Sequence, residues 1–258
     1  MTTARPVVDV EVWSDVICPW CYIGKRRFER AVAEVAGEVD VRVTYRPYQL
    51  DPSASATAPI PAVEGYARKF GGPEQATAII AKVTSVAAED GIEFRMDRAL
   101  RANTFDAHRL LWLTTATGHQ EALKQRLLEA YFTDGLNVAD HQVLADCAAD
   151  VGLDHDAIVR FLASDDGVVE TRAELDEARE IGITAVPTYV FGGTWAVPGA
   201  QDSDTFALVL RRLGAKRAAA DAAASGEVCA DEVCVDEACA VAASSDGFGP
   251  RPDEVGTV

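Results

Sequence analysis

"WSDVICPWCYIGKRRFE", residues 13–29, sets Cys18 and Cys21 two residues apart, directly after an apolar run and at the start of a helical pattern. Upstream, Val8, Val10 and Val12 alternate with Asp9 and Glu11, a period of two that predicts a strand over residues 7–13. Downstream, Pro19 suits a first helical turn, and Phe28, Ala31, Val32 and Val35 recur at spacings of three and four until Gly37 stops the pattern. "DVRVTYR", residues 40–46, alternates again and runs into Pro47. The first fifty residues therefore read as strand, helix, strand.

From Pro52 to Pro61 the chain is rich in Pro, Ser and Ala and reads as a linker. Roughly a hundred residues beyond it carry helical patterns, with Gly stops and Asn, Thr or Asp starts, and no strand is expected among them. "GVVETRAELDEAREIG" is a further helix. "ITAVPTYVFGGTWAVPG" gives two β-rich runs split by Gly192-Gly193 as a two-residue hairpin turn, and "DSDTFALVLRRLG" a capped last helix. The expected organisation is an α/β sheet domain split into residues 1–54 and 166–216, an all-helical domain inserted at 55–165, and an acidic flexible tail at 217–258.

The chain has 258 residues, 48% of them hydrophobic, which is ample for a packed core, and a net charge of −17. That charge argues against nucleic acid or an anionic membrane as partner, since either needs a basic face. Residues 221–258 hold nine acidic side chains against one arginine. Asp9 and Glu11 interrupt the N-terminal apolar run, no signal-peptide core or membrane span can be drawn, and a cytoplasmic location is expected. In such a compartment six cysteines do not read as a structural disulfide framework, and a tight pair reads as redox-active or metal-binding.

A closed zinc site needs four ligands, and no second CxxC or HxxxH exists to complete one; no metal is expected. The redox reading has a direct physical basis. A helix starting at Pro19 puts Cys18 at its N-cap, where unpaired N–H groups and the positive dipole end favour a thiolate. Cys21 lies one turn later, close enough to close a disulfide and shielded inside that turn. Cys18 is thus the expected nucleophile and Cys21 the resolving thiol. Trp20 is expected to be exposed beside the sulfur to receive apolar substrate, with Trp13, Trp112 and Trp195 in the core. Asp15 is a like charge opposing ionisation of Cys18, which together with Trp20 between the cysteines predicts a mild oxidant suited to isomerisation or reduction. Cys147, in "VLADCAADVG", fits a helix interface.

A strand, "CPWCYIGK", a helix, an inserted helical segment and a later "AVPTYVF" together resemble the thioredoxin-fold DsbA superfamily, in particular its FrnE-like cytoplasmic branch, over about residues 6–214. The resemblance implies a thioredoxin-like α/β fold with an inserted all-helical domain. It also implies thiol–disulfide exchange on protein or peptide substrates without a cofactor, with glutathione or thioredoxin as electron partner. It makes Pro187 a cis proline opposite the cysteines, with Val186 pairing to a bound polypeptide through its backbone. Asn103 and His108, in "NTFDAHR", become pocket residues; read alone they are a capping Asn and a partly exposed His.

Cys229, Cys234 and Cys239 recur at intervals of five, about 140° apart on a helix, and so share no face. The resemblance implies a C-x4-C pair there that relays electrons; Cys229 with Cys234 or Cys234 with Cys239 both fit, the second better, against idle or metal-scavenging thiols on an acidic tail. Two rival activities are an isomerase or kappa-type glutathione transferase of the same fold, acting on a small aromatic such as a 2-hydroxychromene-2-carboxylate, and a redox-independent holdase. The first generally has serine where this chain has Cys18. The second would survive Cys18→Ser.

Overall fold

The computed structural model describes residues 5–225. Strand β1 (Val7–Ser14) leads into helix α1 (Pro19–Val35), and β2 (Asp40–Pro47) follows. The chain returns to the sheet through α8 (Val168–Glu180), β5 (Thr188–Phe191) and β6 (Trp195–Pro198), and α9 (Ser203–Ser225) closes it. Strand order is β2-β1-β5-β6, with β1 parallel to β2 and antiparallel to β5, and β5 antiparallel to β6.

The alternation in β1 sets which side faces which helix. Val8, Val10 and Val12 lie with Phe28, Phe191, Phe206 and Leu210 in a core between the sheet and α1 and α9. On the opposite face Trp13 packs with Val190, Ile183 and Ala178 of α8. Glu11 on that face pairs with Arg46, which also pairs with Glu174 of α8.

Between β2 and α8 lie β3 (Ile60–Pro61), α2 (Ala62–Phe70), α3 (Pro73–Glu89), β4 (Leu100–Arg101), α4 (Phe105–Thr114), α5 (Gln120–Glu129), a π-helical turn at Ala130–Asp134, α6 (His141–Asp150) and α7 (His155–Leu162). Their core contains Leu110, Leu123, Leu127, Phe132 and Leu144 and is continuous with Val16, Tyr22 and Ile23 around the start of α1. Cys147 is buried in it.

Three expectations are corrected. The helical stretch does contain strands: Ile60–Pro61 pairs with Leu100–Arg101 as a two-residue antiparallel ribbon, too short to leave a periodicity in sequence. The hairpin loop has three residues, because Phe191 pairs with Trp195; Gly192 (φ 56°) and Gly193 (φ 70°) supply its left-handed positions. Helix α9 runs on past the expected boundary at 216 to Ser225, through the alanine-rich "AKRAAADAAAS", whose helix propensity is high. Among the described residues no helix is long and apolar enough to cross a membrane.

Candidate active site

The site is built on the first turn of α1. Cys18 has extended backbone (φ −87°, ψ 116°) and is the N-cap, with Pro19 following. Its carbonyl accepts the N–H groups of Cys21 and Tyr22 at 3.1 and 3.3 Å, so the turn closes over the pair. From the other side of the sheet the Val186–Pro187 bond, which is cis, brings the carbonyl of Val186 to 3.6 Å from Cys18 Sγ, as acceptor of the thiol. The structure thus gathers Cys18, Cys21, Val186 and Pro187 in one place.

Gly24, one turn further along α1, permits this approach. A Cβ there would lie 2.8 Å from Tyr189 Oη and 3.2 Å from Pro187 Cγ. Sequence reasoning passed over it, although a lone glycine inside a helical pattern signals close packing.

The two thiols differ from an open redox pair in being covered: Cys18 has no exposed surface and Cys21 is 3% exposed. Burial pushes the Cys21 thiol well above its ordinary range, as do its hydrogen bond to Cys18 and the charge of Cys18, while Lys124 acts in the opposite direction. Lys124, on α5, is itself buried, and burial lowers its ammonium against the upward pull of Cys21, Asp15 and Cys18. It went unnoticed in the sequence, where it is one lysine of a strongly amphipathic helix.

Asp15 is held differently from the free like charge expected beside Cys18. It is fully buried; Oδ1 accepts the Val16 N–H and Oδ2 the Leu50 N–H, each at 2.8 Å. His108, expected to line a pocket, is buried under this carboxylate. Its Nε2 lies 3.2 Å from Asp15 Oδ1 and 3.1 Å from the Tyr48 carbonyl. Both are acceptors, so that nitrogen carries the proton. His108 therefore orients Asp15 and faces no substrate space.

Asn103 latches a loop: its Nδ2 donates to the carbonyls of Pro52 and Ala54 and its Oδ1 accepts the Phe105 N–H at 2.9 Å. Trp20, expected to be exposed, is half-buried against the helical core with its indole N–H covered. Of the tryptophans expected in the core, Trp13 is fully buried, Trp112 half-buried, and Trp195 43% exposed on the outer strand β6. Cys229, Cys234 and Cys239 lie outside the described residues. Among the described residues no group of three or more His, Cys, Asp or Glu is placed to hold a metal.

A cleft of about 410 Å³ begins at Ile17, next to Cys18 in the chain. Tyr66, Phe70 and Tyr131 give it apolar walls, and Arg68 and Lys69 border it. Tyr66 is close enough to Cys18 for the charges to interact, and burial pushes its phenol up.

The DSBA-like thioredoxin domain matches residues 9–211 of the chain. In structure the chain is similar to a probable DsbA oxidoreductase, SCO1869, from Streptomyces coelicolor: 33% identity, 91% of this chain and 97% of the other covered, TM-score 0.72. It is also similar to a 2-hydroxychromene-2-carboxylate isomerase in fold, at 16% identity, covering 83% and 98%, with a TM-score of 0.59. In sequence it is 29% identical over 208 residues to the uncharacterized protein YwbO of Bacillus subtilis (strain 168), covering 77% of this chain and 94% of that one.

Proposed function

The chain belongs to the family of DSBA-like thioredoxin domains, and on that premise we propose that it is a thiol–disulfide oxidoreductase or isomerase acting on protein and peptide substrates through Cys18 and Cys21. The observation that carries this reading is the N-cap placement of Cys18, with its sulfur 3.6 Å from the Val186 carbonyl and Cys21 one turn behind.

Cys18 reacts as a thiolate from its position at the N-cap of α1. That thiolate attacks a client disulfide; a Cys18–client S–S bond forms, the client bond breaks, and one client sulfur leaves as thiolate. Cys21 then attacks Cys18, the intramolecular disulfide forms, and the second client sulfur departs with its electron pair. The client is reduced by two electrons and the pair oxidised; the reverse sequence oxidises a dithiol. The backbone of Val186, beside Pro187, pairs with the client chain, which enters from the cleft at Ile17. Since Cys18 is covered, entry requires the wall around Tyr66 to yield.

The raised Cys21 thiol and the absence of a histidine between the cysteines support a mild couple working toward reduction and isomerisation in the cytoplasm, with glutathione or thioredoxin returning electrons. Through "CPWCYIGK" and "AVPTYVF" the chain resembles the FrnE-like branch, and on that resemblance Cys234 with Cys239, or Cys229 with Cys234, serves as an auxiliary relay. The intact pair disfavours the chromene-carboxylate isomerase reaction despite the shared fold.

The test is reduction of insulin and reshuffling of scrambled ribonuclease. Wild type is expected to do both, Cys21→Ser to accumulate a mixed disulfide, and Cys18→Ser to do neither. Activity that survives in Cys18→Ser refutes the reading.

A further inference from the structure

Helix α9 carries the chain away from the site. Just before it, the Ala200 carbonyl accepts from Arg27, just over two turns along α1, at 2.9 Å, and from there the two helices run side by side in the same direction. Arg211 of α9 pairs with Glu34 and Glu38, at and beyond the far end of α1, each at 3.0 Å. Gly214 lies against Val39 and Pro6, where β2 and β1 begin, whereas Cys18 follows the other end of β1. Past Gly214 the helix continues to Ser225, and every residue from Ala215 to Ala224 is exposed. This stretch projects from the foot of the sheet, kept helical by alanine and by an ion pair from Arg217 to Asp221 at 3.2 Å.

That direction decides where Cys229, Cys234 and Cys239 can act. At 1.5 Å per helical residue, α1 and the projecting part of α9 together put Ser225 roughly 40 Å from Cys18. Beyond Ser225 a chain gains at most about 3.5 Å per residue, which confines Cys229 and Cys234 to within about 14 and 32 Å of it. Both fall short. Cys239 comes level with Cys18 only if the tail is held straight along the whole molecule, and a disulfide to Cys234, which needs their Cα atoms within about 7 Å, shortens that reach again. A tail tethered there does not serve the site of its own chain.

We propose that the tail cysteines exchange with the Cys18–Cys21 pair of a second copy of this chain. The inference rests on the disulfide-exchange reading above. The Cys239 thiolate of one copy attacks Cys18 Sγ of the other; the bond between them forms, the Cys18–Cys21 bond breaks, and Cys21 leaves as thiolate and takes a proton from solvent. Cys234, its proton lost to solvent, then attacks Cys239, the tail disulfide forms, and Cys18 departs as thiolate. The tail is oxidised by two electrons and the other copy's pair is reduced by two; the reverse order oxidises that pair. Charge favours the encounter locally: Asp236 and Glu237 lie between the two tail cysteines, and Arg68 and Lys69 border the cleft that begins beside Cys18.

The experiment mixes two full-length variants. One, Cys18→Ser with Cys21→Ser, keeps a reduced tail; the other, with Cys229, Cys234 and Cys239 all changed to Ser, keeps an oxidised active pair. Alkylation and mass spectrometry are expected to show the active pair becoming reduced, at a rate that doubles when the first variant is doubled. Adding Cys234→Ser to the first variant should trap a disulfide-linked heterodimer through Cys239 and Cys18, and adding Cys239→Ser should abolish it. No transfer between the copies overturns the proposal. Reduced wild type given one equivalent of a peptide disulfide provides a second reading: the tail disulfide should form at a rate that rises with protein concentration, and a rate independent of concentration means transfer within one chain and refutes the idea. The reduced tail variant separates the two claims. If it cannot reduce the peptide disulfide, the exchange reading itself fails; if it can, the result between copies stands on its own.

Discussion

The Cys18 sulfur and the Val186 carbonyl oxygen stand 3.6 Å apart although 168 positions separate them in the chain. The carbonyl accepts from the thiol and so holds in place a sulfur that has no exposed surface.

This cover governs access. With no exposed surface on Cys18, alkylation requires local opening, and a small reagent such as iodoacetamide is expected to outpace a bulky maleimide by far more than on a free peptide. Tyr66→Ala, which removes a wall of the adjacent cleft, should raise the maleimide rate severalfold. Equal rates in variant and wild type, read by mass spectrometry, would mean that entry lies elsewhere.

Cys21 makes stability pH-dependent. Its thiol, ordinarily near 9.0, is raised in the native state, so above that pH the unfolded chain releases a proton that the folded chain still holds. Stability is therefore full below the ordinary thiol value and declines as pH rises toward the raised one, by up to about 1.4 kcal/mol per pH unit. Lys124, lowered from 10.5, contributes the opposite slope, with stability rising across its own window. Urea melts from pH 8 to 10.5 should show Cys21→Ala losing the downward component, whereas matching slopes would contradict burial as its cause.

Gly24→Ala places a methyl group against Tyr189 Oη and the Pro187 ring. Relieving that overlap is expected to cost about 1–3 kcal/mol and to push α1 away from Pro187, slowing exchange as well. Chemical denaturation combined with insulin reduction checks both effects.

Asp15 clamps the loop ahead of Cys18 to Leu50 through two backbone N–H groups. Asp15→Ala leaves the buried Val16 N–H and the half-buried Leu50 N–H without an acceptor and should cost roughly 3 kcal/mol. Asp15→Asn retains one acceptor oxygen and should cost less. His108→Ala, which removes one of the two partners of Asp15 Oδ1 and leaves the Val16 N–H bonded to it, should cost less than Asp15→Ala. The reverse order in thermal melts would remove the carboxylate from its role as clamp.

What was legible in the sequence was what repeats locally. Val8, Val10 and Val12 alternate because one side of β1 is a core, and Cys18 falls at the N-cap because Pro19 opens the helix. Lys124 was invisible because a lysine on an amphipathic helix ordinarily faces water, and only the seating of α5 against β2 and α1 buries it. Trp195 was misjudged for a related reason: a tryptophan in "TWAVP" reads as core, yet β6 is the outermost strand and presents it outward. His108 was noticed but read as a pocket residue, since the buried Asp15 beside it comes from 93 positions earlier. Gly24 could have been found, because a helix has no local need for glycine.

Strand β1 has its antiparallel partner in β5, and Val12 meets Tyr189 only across the whole intervening chain. During synthesis, at ordinary ribosomal speeds, the nascent polypeptide would carry Cys18 for on the order of ten to thirty seconds before Val186 is even made. For that interval the thiols are neither capped by the carbonyl nor enclosed by a completed sheet. The order of the elements thus makes birth the moment of greatest exposure for this pair, and a cell with oxidants in reach would meet its sulfurs first as an unfinished protein.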